Sequence, residues 1–464
     1  MSYTFNPTIL REYDIRGQID KNLSEDDAYA LGRAFGTFIQ RDTALGEKHV
    51  VCVGYDGRLS SPALSSKLCA GLKETGVDVI SVGLGPTPML YFAVKHLSAD
   101  AGIMVTGSHN PSDYNGFKMT RNAGPIFGSV IQEIGQISQS GELTNGEGSI
   151  TEQDIKDDYV DRLILDLDLT RDLTIAWDAG NGAAGEILQM LTKKIPGTHH
   201  MIYEDIDGNF PNHHPDPTVD KNLIDLQKVV HDEKCDLGIA FDGDGDRIGV
   251  VDENGKILRC DILMTIYARE VIENKPGAAI IGDVKCSQVM FDEINKMGGN
   301  AVMWKTGHSL IKDKMRELQA PLAGELSGHI FFADKYYGFD DALYCSIRLL
   351  NALSQTEGGL STLTSHLPVL FNTPELRIEV DEAEKFDLVP RVFESLKAQA
   401  NDNVDLDDID GVRVSTADGW WLLRPSNTQD VLVARIEASS EEGLQRLQHM
   451  AGEEVKKIGY TLTF

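Results

Sequence analysis

Paired cysteines are missing from this chain. Its six cysteines, Cys52, Cys69, Cys235, Cys260, Cys286 and Cys345, are scattered singly through 464 residues with no CxxC spacing. That excludes a disulfide framework or a zinc ribbon and leaves reduced, mostly buried thiols. No run approaches the roughly 18 apolar residues of a membrane-spanning helix. The opening stretch, MSYTFNPTILREYDIRG, lacks the basic-then-apolar order of a secretion signal. Positive charge is also scarce: 43 Lys and Arg face 72 Asp and Glu, a formal net charge of -29. Such a surface repels nucleic acid and anionic lipid, so neither is expected as the main partner. These absences predict a cytoplasmic protein in which any anionic ligand is held by a local cluster of Arg, Lys and His.

What remains is an ordinary globular composition, 41% apolar and 25% charged, long enough for about three or four cores. Three β-branched apolar runs end in acidic or glycine-containing turns: HVVCVGYDGR (49–58), LTIAWDAGNG (173–182) and AAIIGDVKCS (278–287). Helix-like sequence and another strand follow each run. Each copy then reaches a further apolar run that ends in an unusual loop, AGIMVTGSHNP, LGIAFDGDGDR and APLAGELSGH. The recurrence predicts related α/β domains, and in such sheets ligands gather at strand ends. After a Pro-bearing candidate hinge at 366–376 the plan changes to a strand, a helix, three meander strands and a closing amphipathic helix. The expected architecture is three similar mixed α/β domains (1–153, 154–255, 256–368) around a central cleft, plus a C-terminal α+β domain (369–464).

The loops carry the chemistry. FDGDGDR alternates Asp242, Asp244 and Asp246, so an extended loop projects all three carboxylates one way, a hard-oxygen set suited to Mg²⁺. An EF-hand is excluded because Arg247 stands where the calcium loop needs glycine and the flanks are strand-like. In VTGSHNPSDYNGFK, Ser108 or Asn110 is placed to cap a helix opening at Pro111. The Asn115-Gly116 pair predicts a tight reversal that folds Lys118 back toward the serine, although a lysine on an edge strand is equally consistent. GELSGH sets Glu325 and Ser327 on one side of a loop, either to accept sugar hydroxyls or as a polar turn. RPSNTQ groups Arg424 with Ser426, Asn427 and Thr428, a phosphate cradle by composition or a plain Pro-Ser-Asn turn.

Taken together, YDIRG, TGSHNP, DGDGDR, GDVKCS, KTGHS, GELSGH and RPSNT occur in an order that resembles the α-D-phosphohexomutase superfamily, most closely its bacterial phosphomannomutase/phosphoglucomutase branch. The resemblance runs nearly end to end. It implies a phosphoserine enzyme with Mg²⁺ that interconverts hexose 1-phosphates and 6-phosphates through glucose 1,6-bisphosphate or its mannose counterpart. Ser108 then carries the phosphoryl group, and Asp242, Asp244 and Asp246 hold the metal together with the phosphoserine. Arg247 steadies phosphate charge, and Lys118 and His329 are the candidates for general acid and base, with either order open. Glu325 and Ser327 hold the sugar, and Arg424, Ser426, Asn427 and Thr428 hold the remote phosphate. Tyr13, Arg16, His109, Lys285 and His308 match further substrate-contacting positions. In one departure, Asp430 stands where the family usually has proline, placing a negative charge beside the phosphate loop. Among rival readings, a phosphoglucosamine mutase typically carries glutamine at the position of Leu326. A non-catalytic binding protein is expected to have lost Ser108 or a metal aspartate, and neither is lost. A metal-dependent phosphatase differs in transferring to water rather than to sugar.

Overall fold

The computed structural model describes residues 2–42, 49–381, 384–398, 404–427 and 429–464. The first sheet is mixed. Val50–Tyr55, Asp78–Leu84 and Ala101–Val105 run parallel, as βαβ crossovers require, and Tyr114–Arg121 returns antiparallel beside Ala101–Val105. Ile15–Gln18 then pairs antiparallel with Tyr114–Arg121 and brings Tyr13 and Arg16 to that edge. The second sheet repeats the step. Gly197–Ile202, Leu173–Asp178 and Leu237–Phe241 are parallel, and Ile248–Asp252 returns antiparallel. The third repeats it again: Asn300–Trp304, Ala279–Asp283 and Leu322–Gly324 are parallel, and Ile330–Phe332 returns antiparallel.

This shared step positions the site. In each domain a fully buried parallel strand stops, a short loop follows, and an antiparallel strand leaves. The closing pairs are Val105↔Phe117, Phe241↔Ile248 and Gly324↔Ile330. The three loops are those of Ser108, of the aspartates, and of Glu325 to His329.

One apolar interior runs through all three of these domains, from Cys52 and Tyr91 through Trp177 and Phe241 to Phe332 and Leu353. It fixes the loops relative to one another. The fourth domain has its own core, built from an antiparallel sheet whose central strands are Gly419–Pro425 and Val431–Ala438, packed on helices Lys385–Lys397 and Glu441–Lys457. Phe371–Asn372, inside the Pro-bearing stretch expected as a hinge, already pairs with Val431–Ala438. The six cysteines are all buried and unpaired. No helix among the described residues is long and apolar enough to cross a membrane.

A buried carboxylate joins the second domain to the third. Asp341 caps helix Ala342–Ser354 through Tyr344 N (2.9 Å) and accepts from the hydroxyls of Tyr159 and Tyr336, both at 2.8 Å. Burial outweighs these bonds and pushes its carboxyl up to about 6. Because the folded value lies above the unfolded one, Asp341 contributes most below its unfolded value, and the contribution fades as pH rises through about 6. The shift corresponds to roughly 3 kcal/mol at about 1.4 kcal/mol per unit. Asn keeps the cap without ionising. Asp341→Asn is therefore expected to raise the thermal midpoint relative to wild type more at about pH 7.5 than at about pH 4.5. A pH-independent difference in thermal unfolding would contradict this.

Candidate active site

The Ser108 loop contains no helix at Pro111. Residues 106–113 form turns, and Tyr114–Arg121 begins directly after them. The expected Asn-Gly reversal is absent as well: Asn115 and Gly116 lie inside that strand. Glycine is needed at 116 because a Cβ there would sit 2.2 Å from the Ile15 carbonyl of the neighbouring strand. The Asn115 side chain is buried and donates to Ser60 and Ser61 Oγ at 2.8 and 2.9 Å. The strand nonetheless delivers Lys118 to the site, opposite Met104. Ser108 has φ 50, a left-handed conformation that costs a non-glycine residue energy. Its Oγ lies 3.1 Å from Asp242 Oδ2 and 3.1 Å from His109 Nδ1. Arg16 donates to Asn110 Oδ1 (2.7 Å) on the same loop and to Asp14 (2.5 Å).

Asp242, Asp244 and Asp246 are wholly buried, with one oxygen from each within 4.8 Å of the others. Asp242 Oδ1 accepts the amides of Asp246 and Arg247, both at 3.1 Å, which curls the loop on itself. Lys118 Nζ reaches Asp244 Oδ2 at 2.7 Å and Asp246 Oδ2 at 2.5 Å. Burial alone pushes the aspartates up and Lys118 down. The mutual attraction overrides it for Lys118, Asp244 and Asp246, so the ammonium is held well above its ordinary value and those carboxyls below theirs. Asp242 has burial and the charges of its two neighbours against it and is pushed well up. Asp244 Oδ1 is buried with no hydrogen-bond partner. Three hard oxygens, one of them unsatisfied, with no thiolate among the ligands, fit a divalent cation of the Mg²⁺ kind.

The third loop adds a linked histidine. His329 Nδ1 lies 3.0 Å from Glu325 Oε2, and its Nε2 lies 3.2 Å from Asp246 Oδ1 and 3.3 Å from Arg247 Nε. A protonated Nε2 donates to Asp246, and an unprotonated one accepts from Arg247. The two contacts are therefore alternatives. Burial opposes the charged ring, but Asp246 and the bonds to Asp246 and Glu325 push it up to about 9. The other Glu325 oxygen accepts from Gly307 N at 2.6 Å, and Ser327 Oγ lies 3.5 Å from His329 Nδ1. His308 opens helix His308–Leu318. Its ring centre is 5.4 Å from that of His329 and 5.8 Å from that of Tyr13. Burial, then Lys312 and His329, hold it well below its ordinary value.

The fourth domain closes onto this cluster. Arg424 is buried and donates to Asp410 through Nε (2.9 Å) and Nη2 (3.4 Å), and Asp410 also accepts Thr306 N at 3.0 Å. Asn427 Nδ2 reaches Tyr13 Oη at 2.5 Å, and that hydroxyl donates to Thr306 O at 2.9 Å. One phenol thus ties the first, third and fourth domains together. Ser426 is buried beside Arg424, and Thr428 lies outside the described residues. Lys285 lies 3.4 Å from Glu375 and 3.8 Å from Asp283. Asp430 is exposed and paired with Lys385 at 3.4 Å, so its charge is answered locally. Tyr13→Phe deletes the three-domain link and is expected to raise the KM for sugar phosphate by about two- to tenfold, read from initial rates.

Sequence reasoning missed several residues that build the site. Asp340, wholly buried, holds Lys312 at 2.9 Å and lies 3.6 Å from His308 Nδ1 and 4.0 Å from His329 Nε2. Asp410 fixes Arg424, and Pro215 accepts Gly243 N at 3.2 Å. A motif reading had no handle on them, because each acts through another residue far away in sequence. Nearly all the residues it did single out are joined by these contacts.

Three α/β domains present a buried serine, a carboxylate cluster and a histidine at strand ends, and a fourth brings a buried arginine to the third through Asp410, a class of site suited to anionic groups beside a divalent cation. Comparison with known proteins narrows the class. Phosphoglucomutase/phosphomannomutase alpha/beta/alpha domains I, II and III match residues 7–145, 157–255 and 259–371, and the C-terminal domain of that family matches 375–453. A Pseudomonas putida phosphomannomutase/phosphoglucomutase is 43% identical over 452 residues, 97% of this chain and 96% of its own length. A Neisseria gonorrhoeae phosphoglucomutase is 40% identical, with 95% of each chain covered. The crystal structure of a Burkholderia thailandensis phosphoglucomutase/phosphomannomutase family protein superposes with TM-score 0.92 at 42% identity over 99% of this chain and all of that one. The chain belongs to the phosphoglucomutase/phosphomannomutase family.

Proposed function

We propose that this protein is a phosphohexomutase, an isomerase that interconverts the 1- and 6-phosphates of glucose and mannose through a phosphoserine at Ser108. The observation that carries the reading is the contact of Ser108 Oγ with Asp242 inside the buried cluster of three aspartates, Lys118, His329 and Arg247. The Pseudomonas putida relative, named for both sugars, supports the breadth of substrate.

In the forward step the free hydroxyl of a hexose phosphate attacks phosphorus on Ser108. A sugar O–P bond forms and the Ser108 Oγ–P bond breaks with its electron pair going to Oγ; the hydroxyl proton passes to whichever of Lys118 and His329 is neutral, and the other, still charged, gives a proton to Ser108 Oγ. The resulting 1,6-bisphosphate turns round, and its other phosphate returns to Ser108 by the reverse step. The neighbouring carboxylates favour the protonated forms of both Lys118 and His329. The base is whichever of them gives up a carboxylate partner, and the two-way contact of His329 Nε2 supplies one such change. Asp242, Asp244 and Asp246 would hold Mg²⁺, which would supply a positive centre for the charge spread over the transferring group. Arg247 adds fixed positive charge. Glu325 and Ser327 accept sugar hydroxyls through lone pairs left over from their protein contacts. Arg424, Ser426, Asn427 and Thr428 grip the non-reacting phosphate, with Lys285 and His308 between the two loops. The protein is taken to act as a monomer in the cytoplasm.

A coupled assay of glucose, mannose and glucosamine 1-phosphates tests this. The first two are expected to turn over with comparable kcat/KM, since a carboxylate gripping hydroxyls away from C2 does not by itself distinguish those epimers. A clear preference for glucosamine 1-phosphate would assign the chain to the phosphoglucosamine branch, and release of inorganic phosphate without mutase product would make it a phosphatase. Exhaustive chelation is expected to abolish turnover, with Mg²⁺ restoring it and Ca²⁺ restoring little.

A further inference from the structure

We infer that Arg58, in a turn 50 residues before the carrier serine, is a positioning residue that sets the conformation of the whole phosphoserine loop; the inference rests on Ser108 being the carrier. The Arg58 side chain is entirely buried, and all five of its N–H donors are used. Nε bonds Asp56 Oδ2 at 3.2 Å. The other four bonds go to carbonyls of one loop: Ser108 (2.7 Å) and Asn110 (2.6 Å) from Nη2, Pro111 (2.5 Å) and Tyr114 (2.9 Å) from Nη1.

Two neighbours pack closely on the guanidinium. A Cβ at Gly107 would sit 2.4 Å from Arg58 Cζ, and the Phe210 ring centre lies 5.2 Å from the same atom. Asp56 completes the frame, accepting from Thr106 Oγ1 (2.8 Å) and Gly107 N (3.1 Å), and Thr106 Oγ1 in turn accepts Ser108 N at 2.8 Å. The amide and the carbonyl of Ser108 are therefore both held from beneath the loop, and Ser108 sits at φ 50 between them. A left-handed non-glycine residue persists only where its surroundings over-determine it. Here the constraint aims Oγ at Asp242 rather than away from it.

The test compares Arg58→Lys, Arg58→Ala and Thr106→Val in the full-length protein, each checked by thermal unfolding. With the sugar and remote phosphate grips untouched, Arg58→Lys is expected to lower kcat about 100-fold while KM for glucose 1-phosphate stays within about threefold. Phosphorylation of Ser108 by glucose 1,6-bisphosphate, followed by intact mass, should slow in parallel. Millimolar guanidinium should restore at least about a tenth of the lost rate to Arg58→Ala, and methylammonium should not, because only a planar fork reaches several carbonyls at once. If the Arg58 variants do not fold, Thr106→Val decides the matter through an expected fall in kcat of about tenfold at unchanged KM. Wild-type kcat in any folded variant, or KM and kcat changing together, overturns the inference. Absence of phosphate from Ser108 in the wild type would instead overturn the carrier reading, so the two failures are distinguishable.

Discussion

Ser108→Ala is expected to lose at least about 10⁴-fold in kcat, the scale on which removal of a covalent nucleophile is felt. Substrate binding measured calorimetrically should stay within a few-fold, because Arg424, Glu325 and Lys285 reach the ligand from other loops. The purified variant should carry no phosphate on the peptide that bears phosphoserine in the wild type. The backbone allows a second, independent reading. With φ 50 at position 108, alanine keeps the left-handed strain and glycine relieves it. Ser108→Gly should therefore unfold at a higher temperature than Ser108→Ala, by a difference of about 1 kcal/mol. Both variants lose the bond from Oγ to Asp242, so the comparison isolates the backbone. Full activity in either variant, or phosphate mapped to another residue, would end the carrier role.

The three loops were legible in sequence because each follows a fully buried parallel strand, and such strands read as unbroken apolar runs: AGIMV, LGIAF, and PLAG after its proline. Where the run stops, the chain has left the sheet at its ligand-binding end. The aspartate triplet was legible for a similar reason, since hard acidic side chains at alternate positions between two strands have few structural uses. The Asn115-Gly116 turn was misread because glycine has two uses that a sequence does not separate. It supplies left-handed backbone in a turn, or it clears space for a neighbouring strand. Here the second use wins, through an edge strand, Ile15–Gln18, that pairs across about 100 residues of chain. Arg58 and Asp410 were invisible as functional residues for a related reason. Their partners are main-chain carbonyls or another loop's arginine, and no local pattern marks such a pairing. The charge of Asp430 also changes meaning once Lys385 is seen beside it.

The remote phosphate grip supports the other large effect. Arg424 is buried on the fourth domain, and its fork is aligned by Asp410, which also fixes the Thr306 amide of the third domain. Charge-assisted bonds from such a side chain to phosphate are worth roughly 1.5 to 3 kcal/mol each, so Arg424→Ala is expected to raise KM by about ten- to 150-fold. A second consequence follows from where the residue sits. The fourth domain meets the first through Asn427 and Tyr13 and the third through Asp410 and Thr306. On the proposed function, a phosphate bridging Arg424 to the other domains would help to hold them together while the bisphosphate turns round. Without that bridge the intermediate escapes, and each escape leaves Ser108 unphosphorylated. Progress curves of Arg424→Ala should therefore bend toward zero before substrate is exhausted, and micromolar glucose 1,6-bisphosphate should straighten them. Arg424→Lys keeps the charge without the fork and is expected to fall between the two. Asp410→Asn separates alignment from contact: it should raise KM modestly and leave the curves straight. A uniform slowing of Arg424→Ala that added bisphosphate does not relieve would confine Arg424 to initial binding and remove it from retention of the intermediate.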